Sequence, residues 1–156
     1  MPKLQQALLS GTLAAAAVTL AASFAARRAT RSSAAALNAT SHIVWGERAA
    51  RQDACSLKYT ATGFLANYGA SVFWGLFYEA LGRGKRRSRA RALMDGALVS
   101  AAAYVTDYHL VPRRLTPGFE LRLPRAALAL VYAALALGLS ARDLASRRSA
   151  PRNWAP

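Results

Sequence analysis

The chain has 156 residues, room for a single domain spanning 1–156. Apolar residues make up 54% of it and alanine alone fills 37 positions, yet Lys and Arg outnumber Asp and Glu 21 to 7, a formal charge of +14. The one cysteine, Cys55, excludes an intrachain disulfide and a cysteine-cluster metal site.

Such a balance fits either a nucleic-acid binder or a membrane protein with basic loops, and the placement of charge decides between them. Positions 4–26 hold 23 residues without a charge, and 59–78 hold 20. At 1.5 Å of rise per residue, roughly 20 residues cross a hydrocarbon core of about 30 Å. A soluble basic protein would instead scatter charges along every helix. The expected fold is therefore all-α: a multi-pass transmembrane helical bundle of four spans, at about 4–26, 59–78, 92–111 and 121–141, with no nucleic-acid partner. Composition alone suggests a bacterial inner-membrane protein.

The first span follows Lys3 as a signal peptide would, but it exceeds the usual apolar region of about 7–15 residues and ends in Arg27, Arg28 and Arg31. A retained helix is expected; cleavage would leave three spans. Gly11, Ala15, Thr19 and Ser23 recur every four residues along it, a small-residue stripe suited to close helix contact.

The connection 27–58 is too long for a turn. Within it, 41–51 reads as a short interfacial helix, with Ser41 as its cap, Glu47 and Arg51 as an i,i+4 pair, and Trp45 at a headgroup boundary. Asn38-Ala39-Thr40 matches the glycosylation pattern, a three-residue match that carries no weight.

In the second span Gly63, Asn67, Ser71, Gly75 and Glu79 recur every four residues and form a slowly winding polar and small-residue stripe that should face other helices. Tyr59 at one end, with Trp74 and Tyr78 at the other, fit the interfacial belts. Glu79 is placed to pair with Arg83 at i+4. Arg83, Lys85, Arg86, Arg87, Arg89 and Arg91 then crowd into ten residues, where they are expected to orient the chain and to contact anionic lipid headgroups.

The third span is interrupted by Asp95, placed to pair with Arg91, and by Asp107 and His109 near its far end. Pro112 stops it, and Thr116-Pro117-Gly118 reads as a tight turn. The fourth span has only 16 uncharged residues, 126–141, and reaches length by taking in Leu121 and Leu123 while Arg122 and Arg125 snorkel outward. Residues 142–156 read as a loosely ordered basic tail. Basic residues divide 11 to 10 between the two sides of a four-span topology, so density decides, and the crowded second loop puts both termini in the cytoplasm.

Chemistry-bearing residues are sparse. His42, Asp107, His109 and Glu120 would share one face and are the candidates for a metal or acid–base site, but their spacing matches no ligand motif. The plainer expectation pairs Asp107 and Glu120 with Arg113, Arg114 or Arg122. No metal or other cofactor is expected. Asn67 and Ser71 would line a transport pathway or make interhelical hydrogen bonds; the second is favoured. The expected function is a structural or accessory membrane component and not an enzyme, with the lipid bilayer, anionic headgroups and a membrane partner or second copy as its contacts. A membrane-embedded enzyme or metal protein, and a small transporter or channel, are the rivals.

Overall fold

The computed structural model describes residues 3–82 and 87–146, and every regular element among them is a helix. The chain opens with α1 (Lys3–Thr30) and three short helices, α2 (Ala35–Thr40), α3 (His42–Trp45) and α4 (Glu47–Ala50). A π-helical turn at Leu57–Ala61 leads into α5 (Thr62–Leu81). After the second connection, α6 (Arg89–Val105) starts at Ser88, whose hydroxyl accepts from the Arg91 N–H, and widens into a second π turn at Thr106–Leu110. Two short 3-10 turns, Arg113–Leu115 and Phe119–Leu121, cross to α7 (Arg125–Ala145).

The four long helices pack antiparallel to their neighbours. Gly11 faces Val72 and Gly75 faces Ala7, which sets α1 against α5; Gly138 faces Ala14, which sets α1 against α7. Gly96 faces Ala136, and the Ser100 hydroxyl donates to the Tyr132 carbonyl at 2.6 Å, which sets α6 against α7. One end of the bundle, where α5 stops and α6 starts, is charged; the other is capped by α2–α4 and the link to α7.

The interior is rich in small side chains, with Trp74, Tyr78, Leu135 and Leu139 among the larger ones in its core. On α1 the buried line runs Ala7, Gly11, Ala14, Val18, Ala22 and Ala25, while Thr19 and Ser23 are only half-buried. Strict steps of four drift about 40° each on an α-helix, so the buried line mixes steps of four and three; of the expected stripe Gly11 and Ala15 are buried, and Thr19 still meets α5 through Asn67. On α5 the same drift is kept, because the stripe changes partner as it winds. Gly63 meets Leu37 on α2, Asn67 donates to Thr19 on α1 at 3.2 Å, Gly75 meets α1, and Glu79 reaches α7. All five stripe residues are buried.

Large apolar side chains point outward on all four long helices: Leu20 is 71% exposed, Leu65 65%, Met94 67% and Leu137 54%. Among the described residues two helices, Lys3–Thr30 and Arg125–Ala145, are long and apolar enough to cross a membrane. The other two expected spans fall short of that mark for identifiable reasons. α6 has 17 residues before its π turn, and α5 carries Asn67, Glu79 and two tyrosines, Tyr68 and Tyr78.

Several local expectations are corrected. The stretch 41–51 is two single turns broken at Gly46, whose φ is +72°, and Ser41 caps nothing: its hydroxyl donates to the Asn38 carbonyl at 2.7 Å. The ordered part of the connection is the preceding α2, buried at every residue. Asn38 holds it there, donating to the carbonyls of Gln52 and Ala54 at 2.9 and 3.0 Å and accepting from Thr60 at 2.6 Å. Tyr78 is not in an interfacial belt but fully buried, its hydroxyl donating to Asp143 at 2.8 Å. α7 starts beyond Leu121 and Leu123, because Pro124 stands extended at its N-cap while Phe119 and Leu123 are buried in the cap. Gly118 has φ +80°, and a Cβ there would meet the Ala39 carbonyl oxygen at 2.5 Å, so only glycine closes the turn after Pro117.

Candidate functional site

Charge is organised differently at the two ends. At the charged end, the basic second loop sends Arg87 inward, where its side chain is 5% exposed. Its guanidinium lies 2.9 Å from Asp95, 3.1 Å from Asp143 and 3.6 Å from Glu79, donates to the Tyr78 carbonyl, and covers the Tyr78 ring at 4.1 Å. Arg91 bonds Asp95 at 2.8 Å, as its i,i+4 spacing leads one to expect. Glu79 accepts from Ser10 at 2.5 Å and from Arg142 at 3.1 and 3.2 Å, while its expected partner Arg83 lies outside the described residues. Three carboxylates and three guanidiniums thus close a neutral network that touches all four long helices. Of the six basic residues expected to meet lipid headgroups, Arg87 is committed to this network. Arg89 and Arg91 are exposed, and Arg83, Lys85 and Arg86 lie outside the described residues.

The sequence candidates for chemistry fall into three places. Asp107 accepts from the Tyr132 hydroxyl at 2.6 Å and lines an internal cavity of about 100 Å3 that Asn67 and Ser71 also reach. His109 is exposed beside Tyr104, with ring centroids 5.7 Å apart. His42 and Glu120 share a surface cleft at the capped end, with a volume of about 600 Å3. Neither Asp107 nor Glu120 makes the arginine pair expected of it; both bond hydroxyl groups instead. Among the described residues no three His, Cys, Asp or Glu side chains gather as a metal site would require.

The cleft gathers more polar and charged side chains than the other depressions among the described residues. His42 on α3 is buried, its Nδ1 donating to the Ala39 carbonyl at 2.8 Å, which leaves Nε2 facing the Arg113 carbonyl at 3.5 Å. Glu47 and Arg51 stand on the α4 side, and Arg113, Thr116, Glu120 and Arg122 on the link to α7. Thr116 donates to Glu120 Oε1 at 2.6 Å. Arg122 donates to Asp53 and to the Ala50 carbonyl, tying the link to the first connection. Tyr108 enters from the π turn that ends α6. Within the π turn Asp107 lines the cavity shared with Asn67, while Tyr108 lines the cleft.

Three side-chain atoms among the described residues are buried without a hydrogen-bond partner: Tyr108 Oη, Glu120 Oε2 and Arg122 Nε. All three belong to residues lining this cleft. A buried polar group left unpaired costs about 1–3 kcal/mol, so three together mark where a bound molecule would repay the fold. The sequence reading had singled out His42 and Glu120. It missed Tyr108, Thr116 and Arg51, which no motif spacing marks. No protein family, curated protein or solved structure matches the chain.

Proposed function

We propose that the chain is a four-span integral membrane protein with an accessory or structural role, presenting a polar cleft at the capped end of its bundle. The observation that carries this reading is the inverted distribution of side-chain size. Ala, Gly, Ser and Asn make up most of the buried positions of α1, α5 and α6, beside a few large residues such as Trp74, Tyr78, Leu135 and Leu139, while many Leu, Phe, Met and Val side chains face outward around all four long helices. In water so broad an apolar surface promotes aggregation; in acyl chains it is the solvated surface, and small residues inside let helices approach closely. The two ionisable interruptions of α6 fit the same account, since Asp95 and Asp107 both turn inward and are bonded there.

The accessory reading follows from what the site lacks. His42, Asp107, His109 and Glu120 do not gather into one site, and the cavity that Asn67 and Ser71 line holds only about 100 Å3. Conduction through the bundle is therefore less well supported than a binding or scaffolding role. The stripes on α1 and α5 are spent on intramolecular contacts, so any partner or second copy would meet the outer face instead.

Topology reporters fused after Arg31, Arg87, Thr116 and Pro156 test the span count. Four spans require Arg31 and Thr116 to report one side, with Arg87 and Pro156 on the other. If only α1 and α7 cross, Arg31, Arg87 and Thr116 report the same side, and the four-span reading fails.

A further inference from the structure

The cleft continues into a second depression. Between α6 and α7 runs a groove of about 780 Å3 whose floor is made of alanines, among them Ala97, Ala101, Ala129 and Ala133. Its polar end is formed by Tyr108, Glu120 and Arg125, and Tyr108 and Glu120 line the cleft as well. A polar chamber and an apolar trough therefore share one wall, and that wall carries two of the three unpartnered buried atoms.

We propose that this composite site binds one phospholipid whose headgroup carries both a phosphodiester and a primary ammonium, with the headgroup in the cleft and an acyl chain in the α6–α7 groove. The inference rests on the membrane reading above. Charge complementarity selects the headgroup. Arg122 is paired with Asp53, so the charges left over are the guanidiniums of Arg51, Arg113 and Arg125 and the carboxylates of Glu47 and Glu120. Arg51, Arg113 and Arg125 make no ion pair among the described residues, which leaves cations for a phosphate. Glu120 Oε2 lacks a donor, and an ammonium with N–H bonds supplies one; a quaternary ammonium has none to give, and a glycerol headgroup brings no cation. Tyr108 Oη makes no close hydrogen bond although Glu120 and Tyr132 stand near it, and a phosphodiester oxygen supplies an acceptor. The trough suits an acyl chain because five alanines leave a channel between the two helices, walled by apolar and aromatic side chains that include Tyr104, Val105 and Leu128.

The test uses the purified full chain in detergent, titrated with phosphatidylethanolamine, phosphatidylcholine and phosphatidylglycerol and read by native mass spectrometry. The expected result is a one-to-one ethanolamine-lipid complex about tenfold more populated than either of the others, the difference of one charged hydrogen bond. Glu120→Gln should bring it down to the choline-lipid level, and Ala133→Leu, which fills the trough, should lower it with the helical circular dichroism unchanged. Equal complexes for all three lipids would mean annular lipid only and overturn the proposal. An unaltered Glu120→Gln variant would do the same, showing that Tyr108 and Glu120 satisfy one another. A dimer lost in Ala133→Leu would assign the trough to a second copy. A chain that sediments as a monomer without detergent defeats the membrane reading itself, whereas one that needs detergent and shows no headgroup preference defeats only this inference.

Discussion

Arg87 sits where three carboxylates converge, and its removal reveals what the network is worth. Among the described residues, Arg87→Met leaves Glu79, Asp95 and Asp143 facing Arg91 and Arg142 alone, with the Glu79 and Asp95 side chains almost fully buried. Breaking a buried ion pair by deleting one partner typically costs about 3–5 kcal/mol, so the variant should melt well below the parent in detergent. Arg87→Lys keeps the charge but not the planar fork that spans Asp95 and Asp143, and should fall between the two. Asn38→Ala is expected to be costly for a related reason. It releases the carbonyls of half-buried Gln52 and exposed Ala54 from α2, a loss of about 1–2 kcal/mol readable in the same melt. Neither role was legible beforehand. Six basic residues in ten give no sign of which one turns inward, and Glu79 finds its partner Arg142 63 positions away. The Asp95–Arg91 pair was legible because it is local, one helical turn long.

At the scale of the element, the α5 stripe was readable because its signal is periodic, and what it touches was not. Gly75 and Gly69 separate the two issues. A Cβ at Gly75 would meet the Ala7 carbonyl oxygen at 2.7 Å, whereas one at Gly69 would meet nothing within 4 Å. Gly75→Val should push α1 and α5 apart and lower the melting temperature by the equivalent of about 1–3 kcal/mol of overpacking. Gly69→Ala should raise stability by about 0.5–1 kcal/mol, since alanine loses less backbone freedom in a helix. If both variants behaved alike, the stripe would be a property of composition and not of packing. The short connection helices escaped the sequence reading because they have no period to show. α2 is six residues long and buried on all sides, so no polar face alternates with an apolar one.

For the whole molecule the question is what surrounds the bundle, and one pair of substitutions divides the answers. Leu13 on α1 and Leu137 on α7 are both outward-facing, and the contact of Gly138 with Leu13 and Ala14 sets them at a similar height, within the charge-free runs of their helices. If acyl chains cover this surface, a lysine near the middle of a span is opposed by about 2.5–3.5 kcal/mol at insertion. Leu13→Lys and Leu137→Lys should then each reduce the membrane-inserted fraction, and together should reduce it further. If water covers the surface, the same changes remove exposed apolar area, leave the alanine core untouched, and should raise soluble yield. The sign of the response therefore reports the solvent. Charge segregation pointed to lipid before any fold was known, and the outward-facing leucines point the same way from three dimensions. The double variant, followed by partition between membrane pellet and supernatant, tests both at once.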